Sequence, residues 1–571
     1  MRKIYVFCIF IFMQTVLLAQ SKADTHWFEQ ARFGIFIHWG LYSQIGYTEW
    51  CQNHFEFEAA DYEKLKNSFN PVNFNPEVWA KLIKESGAKY VVMTSKHHEG
   101  FCMYPSAFTD YDIENTLYKK DIIGQLKASL DKQKIPFGLY YSVMDWHHPD
   151  YLPRRYFEKR TGSGADLKNY KLYFKNQVSE IIRKYKPIVL WFDGEWENTH
   201  DSLETVELVQ MMHQLKPDIL FNNRLSRWGY GDFRTPENTV PATGIKDENG
   251  KPVVWETCHT INDSWGYDPF SREFMSSRDL IRILIDIASK GGNLLLNIGP
   301  KPDGTIQPEF ISRLQDLGKW LNVNGESIYG TQASVFPSLP FYGRSTTGSN
   351  KVYLHLFMKP ENGILEVPML KNKILAVKTL SNHRDLTYRL EGNQITIDLK
   401  NVVTDIDATV IVIETEGSPQ IDNRLPIVES ASEIILIPEK AEILPLGKQN
   451  LELRQYYNKM RIYKWNFDNQ NAYLEWNFET LNNSKLNICL HAASTKETTD
   501  SIPVKLIVDN DTILGFLPGR RPWSFMNEYI YNGVKLGTLQ LNAGKHHIRL
   551  IILAPAFREA VFEKLRFFEQ R

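Results

Sequence analysis

Ile188-Val189-Leu190-Trp191-Phe192-Asp193-Gly194-Glu195-Trp196 begins, just after Pro187, as an apolar, β-prone run and then turns to carboxylate, glycine, carboxylate and indole. A continuous apolar run suits a strand buried on both faces of a parallel sheet. Chemistry gathered at the C-terminal end of such a strand is the pattern of a parallel barrel, whose active sites lie at that lip. Asp193 is thereby marked as a candidate catalytic carboxylate. A competing reading makes it only a turn or helix cap, both of which Asp favours.

Outward from this stretch the same pattern recurs. Phe33–His38, Tyr90–Thr94, Phe137–Tyr141, Ile219–Asn222, Val253–Glu256 and Asn293–Asn297 read as further strands. Between them Pro76–Ser86, Ile122–Gln133, Leu167–Tyr185, Ser202–Leu215 and Ser277–Lys290 carry apolar residues at helical spacing, and Pro308–Asn322 closes the series. Strand and helix alternate over about 20–331, which predicts a (β/α)8-like barrel with an eighth strand near Ser327–Gly330. No glycine-rich phosphate loop follows the first strand, as a doubly wound nucleotide-binding sheet would need. His38, Lys96-His97-His98, Tyr140, Asp193, Asn222-Asn223-Arg224, Glu256 and Asn297 all fall at strand ends. One polar strand end is a turn, but several converging on one barrel face make a pocket.

After Thr331 the style changes to short β-like runs broken by Gly, Asn and Pro. They predict an antiparallel β-sandwich over 332–417, a linker through Glu416–Pro426, and a C-terminal β-rich domain over 418–571. At 571 residues the chain is too long for a single core. With 43% hydrophobic and 23% charged residues and a net charge of −1, it shows no electrostatic footprint for nucleic acid. Arg2-Lys3 followed by the apolar run Ile4–Met13 and Val16–Ala19 reads as a signal peptide, residues 1–19, and so predicts export to the periplasm or beyond. No later run is long enough to span a membrane. The remaining cysteines, Cys51, Cys102, Cys258 and Cys489, are scattered and expected to be free buried thiols, a Cys51–Cys102 bridge being the one pairing considered.

The conspicuous pairs His97-His98 and His147-His148 raise the question of a metal. Adjacent residues on a strand point to opposite faces, so each pair offers one ligand to a given site, and neither HExxH nor a His-Cys cluster is present. No metal or cofactor is expected. Carboxylates fit better: Asp193 and Glu195 at one strand end, Asp232, Glu237 and Glu256 further on. Two carboxylates on separate barrel loops, with aromatic walls for a sugar ring, are what glycoside hydrolysis needs.

Several motifs taken together resemble family 29 of the glycoside hydrolases, the retaining α-L-fucosidases. They are Trp27-Phe28, Ala31–Gly40, Glu49-Trp50, Lys96–Phe101, Gly138–Ser142, Trp191–Gly194, Asn222–Arg224, Trp255–Cys258, Ser264–Tyr267 and Lys290–Pro300. The resemblance implies that Asp193 is the nucleophile and Trp191 a wall of the sugar site. It also implies that His38, Glu49, Trp50, His97, His98, Tyr140 and Arg224 bind fucose. The acid/base residue lies on a variable loop in that family; Glu237 is preferred to Glu256, with Asp232 third. The implied partner is a fucosylated glycan, and oligomeric state is left open. A fucose-binding protein without catalysis, or an α-L-galactosidase, are the alternatives. The stretch Asn542–Leu550 resembles a strand of galactose-binding jelly rolls, so the last domain is read as carbohydrate-binding-like or as a stabilising sandwich.

Overall fold

The computed structural model describes residues 23–226, 231–241, 244–247, 251–336, 339, 341–391 and 394–421. Beyond these it describes 427–428, 433–436, 442–444, 451–456, 459–465, 473–480, 483–494, 501–517, 533–553 and 560–569. The signal-peptide reading of residues 1–19 lies outside the described residues. The chain divides into two compact units. One comprises Met1–Thr235, Val254–Ser276 and Asn293–Leu321, the other Pro236–Val253, Ser277–Gly292 and Asn322–Arg571.

The first unit is built on a seven-stranded parallel sheet: β1 Phe33–Ile37, β2 Tyr90–Lys96, β3 Phe137–Ser142, β4 Val189–Asp193, β5 Leu220–Phe221, β6 Glu256–Thr260 and β7 Asn293–Ile298. Their order is β5-β4-β3-β2-β1-β7-β6, so the first and last strands of the chain's series meet in the middle, as in a curled barrel wall. Alternate residues share one face: Phe36, Val92, Tyr140, Trp191, Leu220, Cys258 and Leu295 form one buried cluster, as a period of two requires. Helices α1 Pro76–Glu85, α2 Ile122–Lys132, α3 Leu167–Tyr185 and α4 Thr205–Leu215 fall between successive strands and α6 Pro308–Asn324 follows β7, while α5 Ser277–Ser289, between β6 and β7 in sequence, belongs to the second unit. The starts of the first three are fixed by capping: Asn75, Asp121 and Asp166 each accept backbone N–H bonds from the first turn.

The structure corrects three expectations here. Ser327–Gly330 forms no eighth strand; Gly325–Ser327 is a 3₁₀ turn in which Ser327 Oγ bonds back to Asn324 O, so the backbone never extends. Ser202–Leu215 is broken at Glu204, whose φ of 52° places it in the left-handed region and ends a short helix, His200–Leu203. Val253–Trp255 precede β6 rather than forming it, because their backbone pairs locally, Arg234 N with Val254 O and Val253 N with Ile245 O. The thiols are free as expected, Cys51, Cys102 and Cys258 buried and Cys489 half-buried: Cys51 Sγ faces the Tyr62 hydroxyl at 3.6 Å and Cys102 Sγ the Gln177 amide at 3.2 Å.

In the second unit β8 Gly343–Thr347, β9 Lys351–Leu356, β11 Ile374–Thr379 and β14 Thr409–Thr415 make a four-stranded sheet. β10 Ile364–Pro368, β12 Tyr388–Glu391 and β13 Gln394–Asp398 make a three-stranded one. Leu354, Ile411, Ile413, Leu365, Val367, Ile395 and Ile397 from both sheets share one core. Two six-stranded sheets follow, drawing on strands from Ile427–Val428 to Ala560–Glu569. Trp476 is buried in their core with Phe562. Among the described residues no helix is long and apolar enough to cross a membrane.

Candidate active site

Parallel register brings the strand ends of the first unit together. Tyr140 pairs with Trp191 and Ser142 with Asp193 across β3 and β4, and Phe36 pairs with Asn297 across β1 and β7. Asp193 is the last residue of β4. The turn after it needs Gly194, whose φ of 92° is open to glycine and costly for other residues.

Both oxygens of Asp193 are engaged. Arg224 Nη1 donates to Oδ1 across 3.0 Å, and the Tyr140 hydroxyl donates to Oδ2 across 3.0 Å. Arg224 is in turn clamped by Thr235, its Nε donating to Oγ1 and its Nη2 to the carbonyl, each at 3.0 Å. Its guanidinium lies 4.9 Å over the Trp191 ring. Tyr140 stacks on Trp191 at 5.7 Å and 18° on one side and on His97 at 5.1 Å and 7° on the other. Two donors fixed on its two oxygens hold the carboxylate in one orientation.

His38 and His98 are held in defined tautomers. Asn297 gives its amide hydrogens to Trp265 O, so its Oδ1 accepts from His38 Nδ1 at 2.7 Å and leaves Nε2 as a lone pair. The Ser142 hydroxyl donates to Met144 O, so it accepts from His98 Nδ1 at 2.7 Å, and the other nitrogen of His98 lies 3.6 Å from Asp193 Oδ2. Burial pushes the His38 imidazole down to about 4, against the opposing pull of Asn297 and Asp193. Burial, with His98 and His38 beside it, holds His97 well below its usual range; burial, with Arg155, Lys96 and Arg224, does the same to His98. All three rings are neutral near pH 7.

Opposite-face reasoning about His97-His98 is corrected by the structure. β2 ends at Lys96, and beyond it the two rings turn to the same side, their centroids 4.2 Å apart. One ring nitrogen of each and one oxygen of Asp193 all lie within 4.8 Å of one another. A buried ion pair holds the neighbouring loop: Lys96 Nζ donates to Asp145 Oδ2 at 2.8 Å, and Trp146 N reaches back to His98 O at 2.8 Å. Burial alone would raise the Asp145 carboxyl, but Lys96 and the loop histidines hold it below its usual range. His147 stacks on Tyr111 and bonds Glu63 at 3.1 Å, away from this cluster.

The other expected residues divide. Trp50 packs on His98 and Trp146, each at 5.1 Å, and Glu49 Oε2 accepts from Gly266 N at 3.2 Å. Glu256 is not on the pocket side. It is fully buried behind Trp191, one oxygen taking the indole N–H at 3.0 Å and the other the Tyr90 hydroxyl. Burial pushes its carboxyl up to about 7 against those two bonds. Asp232 accepts from Phe221 N at 3.0 Å and so serves the end of β5. Glu237 is exposed and belongs to the second unit, two residues after the Thr235 that clamps Arg224. Trp265, 5.0 Å from the His38 ring, and Trp196, stacked at 6.3 Å on Trp50, were not singled out from the sequence. Trp265 sits inside the Ser264–Tyr267 motif and Trp196 ends the opening stretch, which were the available signals.

A neutral-imidazole, aromatic-walled pocket around a doubly held carboxylate is suited to a small polyhydroxylated ring with one apolar edge. The α-L-fucosidase family model matches residues 13–326, more than half of the chain. Tissue α-L-fucosidase of Rattus norvegicus is 32% identical over 384 residues, covering 61% of this chain and 79% of that protein. Among solved structures, α-L-fucosidase isoenzyme 1 from Paenibacillus thiaminolyticus is 35% identical with a TM-score of 0.65, covering 69% of this chain and 98% of its own. A family 29 α-L-fucosidase from Bacteroides thetaiotaomicron, solved as a trapped covalent intermediate with 2-fluoro-fucosyl fluoride, is 30% identical with a TM-score of 0.63, covering 69% and 96%. The α-L-fucosidase from Vibrio sp. strain EJY3 is 24% identical and covers 97% of this chain and 100% of its own at a TM-score of 0.77, a likeness of fold.

Proposed function

The chain belongs to the α-L-fucosidase family of glycoside hydrolases, family 29, and from that premise we propose that it is an exported, exo-acting, retaining α-L-fucosidase that works by double displacement. The observation that carries the mechanism is Asp193, presented at the end of β4 and held by Tyr140 and Arg224. In the first step Asp193 attacks the anomeric carbon, the glycosidic bond breaks, and a proton from the acid/base residue goes to the leaving oxygen. In the second, that residue takes a proton from a water whose oxygen attacks the anomeric carbon, and the bond to Asp193 breaks, releasing L-fucose and the free carboxylate.

Arg224 and Tyr140 keep Asp193 oriented between the two steps. The unprotonated nitrogens of His38 and His98 accept sugar hydroxyl hydrogens, while Trp191 and Trp50 cover the ring's apolar edge. Glu237 is assigned as acid/base. Glu256 has both oxygens committed to Trp191 and Tyr90 in a fully buried setting, and Asp232 is committed to the backbone of β5. Glu256 then acts as a prop behind the Trp191 wall. Fucosylated oligosaccharides or glycoconjugates are the substrate class, and the signal-peptide reading places the enzyme outside the cytoplasm.

The test is release of 4-nitrophenol from 4-nitrophenyl α-L-fucoside by the chain lacking residues 1–19. Turnover by the parent, none by Asp193→Asn, and azide rescue of Glu237→Ala as fucosyl azide are expected. Azide rescue of Glu256→Ala instead would move the acid/base role there. An inactive parent, on this substrate and on fucosylated oligosaccharides, would overturn the enzyme reading.

A further inference from the structure

His98 and Asp193 present an acceptor to an acceptor. The Ser142 hydroxyl spends its one hydrogen on Met144 O, so His98 carries its own hydrogen on Nδ1 toward Ser142. What faces Asp193 Oδ2 at 3.6 Å is the bare lone pair of Nε2. His97 adds a ring nitrogen, and the donor atoms of the three residues all fall within 4.8 Å of one another, every one of the residues buried. Zinc held at about 2.0–2.1 Å by imidazole nitrogen and carboxylate oxygen sets its ligand atoms a little over 3 Å apart. The His98–Asp193 edge already has nearly that length. The second coordination layer is in place as well. Ser142 orients His98, as outer partners of metal-bound imidazoles do, and Tyr140 and Arg224 hold the carboxylate.

We propose that His97, His98 and Asp193 form a site for a borderline-soft divalent cation of the Zn2+ type, and that the cation occupies the sugar pocket in place of substrate. His98 loses no proton on binding, since its Nε2 is already a lone pair. The cation cannot coexist with an attack by Asp193, whose oxygen it takes, so it is an inhibitor and not a cofactor. Its competition with fucosides rests on the function proposed above; the binding itself does not.

Two readouts separate the two. Chelator-treated full chain is titrated with Co2+, whose visible absorption reports ligand geometry, and then with Zn2+ by calorimetry. One site is expected, with cobalt bands typical of a tetrahedral nitrogen–oxygen set. His97→Asn and His98→Asn, each checked for folding by circular dichroism, are expected to weaken it at least about 10-fold. Ser142→Ala, which leaves all three ligands in place, is expected to weaken it by about 10- to 100-fold, as loss of an outer partner does. Should the histidine variants not fold, Ser142→Ala decides alone. Saturating L-fucose is expected to displace the metal, and Zn2+ to raise KM for the aryl fucoside without lowering kcat. Unchanged affinity in the folded variants would overturn the site. Loss of binding in the variants without any effect of L-fucose would leave the site standing and overturn its role as competitor.

Discussion

The Tyr140 hydroxyl donates to Asp193 Oδ2 across 3.0 Å, from a ring packed between Trp191 and His97. The bond joins neighbouring strands, so the carboxylate inherits the rigidity of the sheet rather than that of a loop. Tyr140→Phe keeps the stack and removes the donor. A hydrogen bond to a charged group contributes about 1.5–3 kcal/mol, so kcat/KM is expected to fall by about 10- to 100-fold with the fold intact. Steady-state kinetics beside a thermal melt checks it. A loss confined to the melting temperature would make Tyr140 a packing residue only.

Glu256 and Glu237 are expected to separate sharply. Glu256→Gln keeps the shape behind Trp191 and is expected to remain within about tenfold of the parent in kcat, well short of the 10²–10⁴ that general acid–base groups supply. Glu256→Leu strands the Trp191 indole and the Tyr90 hydroxyl in a buried site and is expected to lose about 1–3 kcal/mol of stability for each group left unpaired. Glu237→Ala is expected to fall by about 10²–10⁴ on substrates with poor leaving groups, with no change in melting temperature.

Buried titratable groups give stability opposite slopes on pH. His38 is held at about 4 in the folded chain against an ordinary 6.5, so between those values the unfolded chain binds the extra proton. Its contribution is present above pH 6.5 and is lost as pH falls through that window. His97 and His98 have the same sign. Glu99 and Glu256, pushed up by burial from 4.5 to about 8 and about 7, work the other way: stability is greatest below 4.5 and declines as pH rises toward those values. Melting curves from pH 4 to 8 are expected to rise and then fall. Glu99→Gln is expected to raise the melting temperature more at pH 8 than at pH 5. An equal shift at both would refute the assignment.

How far the sequence could be read follows from where the signal sits. Strands buried on both faces print continuous apolar runs, so Phe33–Ile37, Tyr90–Lys96 and Asn293–Ile298 were legible, as was Leu167–Tyr185 from its helical period. β5 and β6 were blurred because their neighbours pair locally with Phe233 and Arg234 instead of with the sheet, and a bridge between loops leaves no periodicity. The mutual placement of His97 and His98 depended on β2 ending at Lys96, one residue before them. That boundary is a tertiary outcome: Lys96 is drawn to Asp145 on another loop. The residues gathered around Asp193 were recognisable as motifs. The surroundings of Glu256 were not, because its bonds to Trp191 and Tyr90 join strands far apart in the sequence.

Gly318 in α6 is expected to tolerate no side chain. A Cβ there would lie 1.9 Å from Glu85 O at the end of α1, and backbone cannot give way as a flexible side chain can. Gly318→Ala is expected to destabilise the chain by about 1–3 kcal/mol, the range for overpacking, despite the better helix propensity of alanine. A melting temperature at or above the parent's would show that the α1–α6 approach is looser than described.

Central to the account is Asp193 as the nucleophile, and the most direct measurement is to catch it. The Glu237→Gln variant is incubated with 2-deoxy-2-fluoro-fucosyl fluoride, then digested and mapped by mass spectrometry. One fucosyl adduct per chain, carried by the peptide containing Asp193 and absent from Asp193→Asn, is the expected result. An adduct on another carboxylate, or turnover with inversion and no adduct, would contradict it.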